Sequence, residues 1–272
     1  MNPLNLINQM NTALVTGAAN GLGKAYAIEL AKLGYDTLLL DLPQTGLASL
    51  CNKIAYEFGT QSVFYEIDLT QTKQIIEVCQ EINEQYEVSI LINNAGIGGT
   101  RRFDDVNSDY LNTMMQLNMK APTLLTKLLI PNLQKQTKAF VLNVSSMAAF
   151  SQMPYKTIYP ASKGYLLSFT RSLQEEYRSS TISFSVVTPG PMNTNPEVSE
   201  RINKQSKVAR MSLLAPEKVA EISLRGLFNR KKLILLNGPN RFNYILMHII
   251  PLNIRMYLLG KIMKRELSSD SK

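Results

Sequence analysis

The sequence predicts an α/β protein built on one doubly wound parallel sheet of about seven strands. Short runs rich in leucine or β-branched residues alternate with longer amphipathic stretches, which is the pattern of repeated βαβ units. The short runs are apolar almost throughout, as expected for strands that helices cover on both faces. A chain of 272 residues with 45% hydrophobic content can bury one large core. We therefore expect one domain in residues 1–240 and a C-terminal extension in residues 241–272.

Four strands and three helices are predicted in the first half of the chain. The strands are the short apolar runs at residues 12–17, 35–41, 62–67 and 88–93. The helices are the amphipathic stretches between them, at residues 21–33, 45–58 and 71–86. Gly34 and Gly59 follow the first two helices, and glycine is the usual residue just past a helix C-terminus.

The second half of the chain continues the alternation. Helices are predicted at about residues 108–133, 156–178 and 215–228. Strands are predicted at residues 139–144, 182–187 and 233–236. The extension contains an amphipathic helix at residues 252–265, with a broad apolar face and a basic end.

A glycine-rich loop follows the first predicted strand. Residues 16–23 read TGAANGLG and lead directly into a helix. Gly17, Gly21 and Gly23 allow a tight turn, close approach of the backbone to a diphosphate, and tight packing of helix against strand. The N–H groups at the start of the helix attract the same anion. The loop predicts a Rossmann-type dinucleotide site that also includes Asn20 and Leu22.

Acidic residues after the second and third strands are predicted on the adenosine side of this site. Asp41 follows the first glycine of the loop by 24 residues, where a carboxylate can accept hydrogen bonds from ribose hydroxyls. Its charge would repel a 2′-phosphate, and neither Asn20 nor Leu42 is basic, so NAD is favoured and NADP is not excluded. Asp68 and Leu69 are placed near the adenine. Capping of the next helix is the alternative role for each aspartate.

The segment YPASK, residues 159–163, carries the candidate acid/base. Tyr159 and Lys163 are four residues apart and therefore lie on one face of a helix. A tyrosine has an ordinary pKa of ~10, so it needs a neighbouring positive charge to transfer protons at neutral pH, and Lys163 supplies one. Pro160 is tolerated only near the first helical turn, which places the pair at the start of the helix, at the carboxyl edge of the sheet.

Together these segments resemble the short-chain dehydrogenase/reductase family over roughly residues 12–195. The matching motifs, in chain order, are TGAANGLG, Asn93-Asn94-Ala95-Gly96, Asn118, Ser145-Ser146, YPASK, and Pro189-Gly190 with Thr194. Each motif is common alone, but their joint occurrence in order and with family-like spacing is specific. The family spacing of thirteen residues between serine and tyrosine selects Ser146 over Ser145.

The resemblance implies a role for each matching residue. Tyr159 would be the acid/base, with Lys163 lowering its pKa and holding the nicotinamide ribose. Ser146 would hydrogen-bond the substrate oxygen, and Asn118 would support a water-linked proton path to Lys163. The remaining cofactor contacts would be Asn94, Ala95 and Gly96 on the ribose side, and Pro189, Gly190 and Thr194 at the nicotinamide end.

These features predict an NAD(P)-dependent oxidoreductase that interconverts a secondary alcohol and a ketone by hydride transfer. The flanking residues Met147, Gln152, Met153, Tyr155 and Met192 suggest an adaptable apolar pocket, so a lipophilic substrate such as a hydroxysteroid-like or acyl-chain compound is expected. Residues 193–211 have the composition of a lid. The alternatives are a 3-ketoacyl thioester reductase that uses NADPH and a dinucleotide-binding sensor without turnover.

Composition argues against several other chemistries. The single histidine, His248, cannot build a multi-histidine zinc site and lies far from any serine motif, so no metal centre and no serine hydrolase is expected. Cys51 and Cys79 offer no disulfide framework. The N-terminal residues lack the features of a secretory signal, so a cytoplasmic location is expected.

The positive charge is concentrated near the C-terminus. The net charge is +8, and residues 230–272 contain nine basic and two acidic residues. A basic tail with no recognition motif in the body argues against nucleic acid as a partner. Residues 241–265 also lack the ~18 consecutive apolar residues of a spanning helix. Two interpretations stay open: peripheral contact with the inner face of an anionic membrane, or packing on the domain or on a second subunit of a homodimer or homotetramer.

Overall fold

A computed structural model describes residues 12–190, 192 and 213–270 of the chain, with the side chains of residues 265–270 excepted. It contains a seven-stranded sheet in the order β3-β2-β1-β4-β5-β6-β7, in which every neighbouring pair is parallel. The strands are Thr12–Thr16 (β1), Asp36–Asp41 (β2), Ser62–Glu66 (β3), Val88–Asn93 (β4), Ala139–Val144 (β5), Ile182–Val187 (β6) and Leu233–Ile234 (β7). The predicted doubly wound parallel sheet is confirmed.

Nine α-helices are present among the described residues. They are Gly21–Lys32 (α1), Leu47–Phe58 (α2), Thr72–Gln85 (α3), Ser108–Met115 (α4), Ala121–Gln134 (α5), Ile158–Glu176 (α6), Pro216–Phe228 (α7), Gly238–Ile249 (α8) and Leu252–Asp270 (α9). The short 3-10 helices Phe103–Asp105 and Met147–Phe150 lie in the loops after β4 and β5.

Three boundaries differ from the sequence-based expectation for identifiable reasons. Helix α2 begins two residues late because Gly46 has a φ of 85°, a left-handed conformation that an α-helix cannot contain. Strand β7 is two residues shorter because the chain turns at Asn237, whose side chain accepts the Asn240 N–H at the start of α8. The helix predicted at residues 108–133 contains one π-helical turn, Gln116–Lys120, between α4 and α5. Pro122 has no N–H to continue the α-helical ladder there.

Side chains alternate between the two faces of the sheet, and each face has its own hydrophobic core. Ala13 and Val15 of β1 pack with α1, α2 and α7 on one face. Leu14, between them, packs with α3 and α5 on the other face. This alternation is the period-two geometry of a strand, and it explains why every residue of β1 is buried.

Parallel pairing brings the carboxyl ends of the strands to one edge of the sheet. The chain runs from β1 outward through β2 to β3 and then crosses back to β4, which lies on the other side of β1. The strand order therefore reverses between β1 and β4, and open α/β sheets bind their ligands at such a point. The segments after β1, β4, β5 and β6 all meet there.

Two helices, α8 and α9, are the last elements of the described chain. Helix α9 includes the predicted residues 252–265 and is preceded by α8, with Pro251 near the junction. No helix within the described ranges is both long enough and apolar enough to cross a membrane. Helix α8 starts at Gly238, so the proposed division of the chain at residue 240 falls inside this helix.

Candidate active site

The glycine-rich loop has the geometry that its sequence predicts. Gly17 has a φ of 64°, and a Cβ there would approach the Ala95 Cα to 3.0 Å. A Cβ on Gly23 would lie only 1.8 Å from the Gly17 carbonyl oxygen, so no side chain fits between α1 and the loop. Asn20 is the N-cap of α1 and makes no side-chain cap hydrogen bond. The first N–H groups of the helix therefore have no side-chain cap and suit an anion such as a diphosphate.

Thr16 and Asn94 connect the glycine loop to the end of β4. The Thr16 hydroxyl oxygen accepts the N–H groups of Asn94 and Ala95, both at 3.0 Å. The Asn94 side-chain amide donates to the Thr16 carbonyl at 2.9 Å and to the Gly17 carbonyl at 3.2 Å. Asn94 thus holds the loop in place as well as lining the cleft. The sequence analysis did not single out Thr16, although its position as the last residue of β1 before the glycines was a usable signal.

Asp41 lies beside the glycine loop at the end of β2. Its carboxylate accepts the Ala19 N–H at 2.8 Å and the Leu42 N–H at 2.8 Å. It does not cap α2, which begins six residues later behind Gly46. The contact with the backbone of the loop places a negative charge beside the glycine loop, where the adenosine end of a dinucleotide is predicted.

Asp68 does not cap α3, whose N-cap is Gln71 without a side-chain cap hydrogen bond. Its carboxylate accepts the Thr70 N–H at 2.9 Å and the Thr70 hydroxyl at 2.8 Å, and so stabilises the turn into α3. Its own N–H donates to the Gln74 side chain at 2.7 Å. Leu69 is buried in the core. Neither Asp68 nor Leu69 lines the main cleft.

Ser146 and Tyr159 meet at the carboxyl edge of the sheet. The Ser146 hydroxyl lies near enough to the Tyr159 phenol to affect its pKa. Burial raises the pKa of the Tyr159 phenol above its ordinary value, and the neighbouring Ser146 hydroxyl opposes this with a smaller effect. The neighbouring Ser145 has a different contact, because its hydroxyl donates to the Lys163 backbone carbonyl at 2.7 Å. Of the two serines, Ser146 is therefore the one that faces the phenol.

Lys163 is buried on the inner side of α6. Only 5% of the residue is exposed, and Nζ donates to the Val144 carbonyl at 2.9 Å. Burial lowers the pKa of the Lys163 amine to about 8, because the charged form is poorly solvated there. Burial, rather than Lys163, has the largest effect on the Tyr159 pKa in this structure. The lowering of that pKa by Lys163 stays a prediction.

Asn118 lies on the π-helical turn and joins three elements. Its Oδ1 accepts the Ile97 N–H at 2.9 Å, and its Nδ2 donates to the Ile97 carbonyl at 2.9 Å and to the Ser162 hydroxyl at 3.0 Å. Asn118 is only 1% exposed. It therefore fixes the loop after β4 against α6, close to Lys163. A π-turn at such a position is a frequent feature of functional sites.

An open cleft of about 760 Å³ lies between the glycine loop, the loop after β4 and the start of α6. Nine residues expected at the cofactor line it: Gly17, Asn20, Gly21, Leu22, Asn94, Ala95, Gly96, Tyr159 and Lys163. It is also lined by residues that the sequence analysis did not assign: Ile97, Gly98, Gly99, Thr100, Val144, Ser145 and Lys156. The glycines after β4 matter because a Cβ on Gly98 would reach within 2.8 Å of the Tyr159 ring. Because these glycines have no side chain, the loop after β4 can approach the Tyr159 ring closely.

The segment after β6 is only partly described. The Pro189 carbonyl accepts the Met147 N–H at 2.9 Å, which ties this segment to the loop after β5. Gly190 packs directly against the Asn240 side chain of α8. Thr194 and the predicted lid at residues 193–211 lie outside the described residues.

A smaller pocket adjoins the cleft on the other side of Tyr159. Its apolar lining comes from Phe103, Val106, Leu111, Met114 and Ile158. Tyr155, which was expected on the substrate side, lines it as well, and Met192 lines the main cleft. Met147 is buried in the protein instead. The pocket has a volume of only about 20 Å³, room for about one water molecule, so it marks an apolar wall beside Tyr159 and not a formed site for a large molecule.

A parallel sheet with this loop, an acidic residue after β2 and a serine-tyrosine pair at its carboxyl edge defines a dinucleotide-dependent oxidoreductase. A family model described as short chain dehydrogenase matches residues 11–207. The chain therefore belongs to the short-chain dehydrogenase family. It is an oxidoreductase of the kind that acts on hydroxyl or keto groups with NAD or NADP.

Known proteins of the family resemble the chain over most of its length. It is 30% identical over 261 residues to a very-long-chain 3-oxoacyl-CoA reductase of Anas platyrhynchos, covering 93% of this chain and 80% of the relative. It is 30% identical over 184 residues to 17-beta-hydroxysteroid dehydrogenase type 3 of Homo sapiens, covering 67% of this chain and 59% of the relative. The chain thus spans less than two thirds of the second relative.

A solved structure supports the same assignment. The bulky-bulky ketone specific alcohol dehydrogenase from Comamonas testosteroni is 25% identical and superposes with a TM-score of 0.76. The match covers 90% of this chain and 96% of that chain.

Proposed function

We propose that this protein interconverts a secondary alcohol and a ketone on a lipophilic substrate, with NAD as the preferred cofactor. The observation that carries the proposal is the proximity of the Ser146 and Tyr159 hydroxyl groups beside the main cleft. Two hydroxyl groups at one point can bind a single carbonyl oxygen. One donates a hydrogen bond and the other transfers the proton.

In the reducing direction, Tyr159 donates its proton to the carbonyl oxygen while Ser146 donates a hydrogen bond to the same oxygen. The bound nicotinamide supplies the hydride that the carbonyl carbon receives. The raised pKa of Tyr159 keeps the phenol protonated and ready to donate. Lys163 and Asn118 position the loop and helix around the pair, and Lys163 also reaches the ribose side of the cleft.

The preference for NAD rests on the position of Asp41. Its carboxylate touches the glycine loop backbone at Ala19, so a 2′-phosphate at the adenosine ribose would meet a negative charge at close range. The adjacent residues Asn20 and Leu42 are not basic and offer no compensating charge.

The lipophilic substrate is supported by the apolar side chains that lie next to Tyr159, among them Phe103, Leu111 and Met114. The names of the relatives, a 3-oxoacyl-CoA reductase and a hydroxysteroid dehydrogenase, describe bulky apolar substrates of those proteins. A similar substrate class for this chain would agree with the apolar side chains beside Tyr159.

The proposal is tested with Tyr159→Phe, which removes one oxygen and keeps the ring. We expect kcat/KM for a bulky ketone to fall about 10³-fold, the range of general acid catalysis, while the Kd for NADH stays unchanged. Tyr56→Phe, at a tyrosine that is 92% exposed and remote from the cleft, is the matched control. Near-normal activity of Tyr159→Phe would overturn the proposal.

A 3-ketoacyl thioester reductase that uses NADPH is the second candidate. The observation in its favour is that Arg101 and Lys156 line the pocket beside Tyr159, where the described part of the lining has no acidic residue. Two cations suit the phosphates of a thioester carrier. Turnover of a 3-ketoacyl thioester with NADPH in preference to a neutral ketone with NADH would favour this candidate. A sensor without turnover is ranked below both, because the serine-tyrosine pair and Lys163 are all in place.

The proposal extends to assembly and location. We infer a cytoplasmic homodimer or homotetramer that has no nucleic acid partner, and a peripheral membrane contact through residues 241–265. The membrane contact is supported by nine large apolar side chains that are exposed on α8 and α9: Phe242, Ile245, Leu246, Ile249, Leu252, Ile254, Tyr257, Leu258 and Ile262. The four in α8 follow the spacing i, i+3, i+4 and i+7, which places them on one face.

Charge favours an anionic bilayer over a second copy of the chain at this surface. Residues 230–265 contain eight basic residues and no acidic one, whereas residues 1–229 are close to neutral. Symmetric pairing of two tails would bring like charges together, while anionic headgroups would neutralise them.

A further inference from the structure

The two terminal helices pack on the segment that joins Ser146 to Tyr159. The Phe150 ring meets the Tyr244 ring of α8 edge to face at 4.8 Å, and the His248 ring lies 4.3 Å from Tyr244. From α9, Arg255 Nη1 donates to the Phe150 carbonyl at 3.0 Å. Residues separated by 105 positions in the chain are therefore joined four residues from the proposed catalytic serine.

The same helices also contact the segment after β6. Asn240 of α8 is 1% exposed, and its Oδ1 lies 2.8 Å from where a Gly190 Cβ would be. Gly190 is one of the residues expected at the nicotinamide end of the cofactor. The C-terminal helices thus contact both loops that flank the reaction centre, the one after β5 and the one after β6.

The substrate-side segment needs external support because its backbone is strained. Tyr155 has a φ of 66°, a left-handed conformation that is unfavourable for a tyrosine. Such a conformation persists only where surrounding contacts fix it. The contacts that do so include the Arg101 N–H, which donates to the Tyr155 carbonyl at 2.7 Å, and the packing of Gly260 near Pro154.

Arg255 is unusual among these contacts. Its Nε is buried and has no hydrogen-bond partner within the described structure. Removing this group from water costs free energy that no hydrogen bond to Nε returns. An apolar residue of similar length would avoid that cost. The hydrogen bond to the Phe150 carbonyl is the contact that an apolar replacement would lose.

We propose that Arg255 is a positioning residue for substrate binding, which holds the 147–155 segment in the place where a bulky substrate meets Ser146 and Tyr159. The inference rests on the proposed oxidoreductase function. It makes the C-terminal helices a support behind the 147–155 segment.

The test compares Arg255→Met, Arg255→Lys and Lys261→Met. Arg255→Met keeps an apolar stem and removes the donor, and Arg255→Lys restores one donor. Lys261→Met is the control, because this lysine is exposed on the same helix and lies over the exposed Tyr257 ring. Purified full-length protein is assayed with one bulky and one small ketone, and NADH binding is titrated separately.

We expect Arg255→Met to raise the KM for the bulky ketone about tenfold, as the loss of one charged hydrogen bond would, with kcat and the Kd for NADH changed less than about twofold. Arg255→Lys should recover most of the change, and the small ketone should be affected less. An unchanged KM for the bulky ketone in Arg255→Met would overturn the inference, as would an equal change in Lys261→Met.

A purely structural role would give a different result, in which the Kd for NADH and the KM values of both ketones rise together. If Arg255→Met does not fold, Tyr244→Leu removes the ring contact with Phe150 and is assayed with the same ketones. A selective rise of the bulky-ketone KM then supports the inference, and no rise overturns it. Full activity of Tyr159→Phe would refute the proposed function itself, whatever the Arg255 variants do.

Discussion

Burial controls the proton affinity of the two ionisable groups nearest the proposed reaction. It raises the pKa of the Tyr159 phenol and lowers the pKa of the Lys163 amine to about 8. Both shifts favour the neutral form, as expected where charged groups are poorly solvated. A neutral phenol is the proton donor that ketone reduction needs. The reverse reaction requires the phenolate, so it should gain more from a rise in pH.

Lys163 gives a prediction about stability at the residue scale. Between the folded pKa of about 8 and the ordinary value of 10.5, the unfolded chain holds the proton and the folded chain has released it. The free energy of unfolding of the wild type therefore rises over this interval relative to that of Lys163→Met, by on the order of 3 kcal/mol in total. Below the interval both states are protonated, and the difference should be constant.

The measurement is urea unfolding of both proteins without cofactor across that pH range. Lys73→Met, at an exposed lysine of α3, is the control for the loss of one amine. A difference between Lys163→Met and the wild type that stays constant throughout would contradict the prediction.

A second residue-scale prediction concerns Asp41. Asp41→Asn removes the charge and keeps the shape, so the relative affinity for NADPH over NADH should increase about tenfold. Like charges about 5 Å apart repel by about 3 kcal/mol at an effective dielectric constant of about 20, and salt reduces that value. Both dinucleotides are titrated with the wild type and the variant. Asp36→Asn, at the opposite end of β2, is the control. If the ratio of NADPH affinity to NADH affinity is unchanged in Asp41→Asn, the basis for the NAD preference is removed.

At the scale of secondary-structure elements, short contacts between loops set the shape of the cofactor cleft. Helix α1 approaches the first turn so closely that a Cβ on Gly23 would also come within 2.7 Å of the Asn94 amide. That amide holds the end of β1 and the glycine loop to the end of β4. The packing of the helix and the position of the loop are thus coupled.

Gly23→Ala tests this coupling. We expect the free energy of unfolding to fall by about 1–3 kcal/mol, the usual cost of overpacking, and the Kd for NADH to rise at least in parallel. The checks are denaturant unfolding and NADH titration. Gly238→Ala is the matched control, because a Cβ at that position meets nothing within 4 Å. A Gly23→Ala protein as stable as the control, with normal NADH binding, would show that the close approach is not required.

The π-helical turn is a second element whose shape serves the site. It interrupts the helix that spans α4 and α5 at Asn118. Three hydrogen bonds from the Asn118 amide then reach Ile97 and Ser162. These bonds place the loop after β4 against the start of α6, which carries Tyr159 and Lys163.

At the scale of the whole molecule, charge and apolar exposure coincide at the C-terminal helices. The exposed apolar face of α8 and α9 is accompanied by Lys261 and Lys264. A surface of this kind binds anionic bilayers through apolar insertion and electrostatic attraction together. The attraction should weaken as salt is added, because exposed charges are screened.

The double variant Lys261→Glu/Lys264→Glu tests the membrane contact. We expect binding to phosphatidylserine-containing vesicles to weaken about 30-fold or more, since each basic residue near such a surface contributes about 1 kcal/mol. Lys53→Glu/Lys73→Glu has the same change in net charge on α2 and α3 and is the control. Co-sedimentation with vesicles and the oligomeric state are measured for each. Equal vesicle binding by both variants, or a change of oligomeric state alone, would assign the surface to another partner.

Much of the fold could be predicted because its signals are local. The apolar runs correctly located all seven strands, and errors occurred where one residue changes the backbone, as at Gly46 and Pro122. The spacing of Tyr159 and Lys163 required only that the segment be helical. By contrast, the Asp68 carboxylate bonds within its own turn, and the Thr16 hydroxyl joins the glycine loop to the end of β4. Both contacts depend on side-chain orientation, which spacing does not specify.

The sequence by itself determined the fold class, the family and the set of polar residues near the reaction, because helix and strand periods and short motifs are properties of neighbouring residues. Only the tertiary structure decided that the Asp68 carboxylate is used within its own turn, that burial lowers the pKa of Lys163, and that Arg255 supports Phe150. The last two depend on groups far apart in the chain, so the assembled sheet and its covering helices must bring them together before either exists.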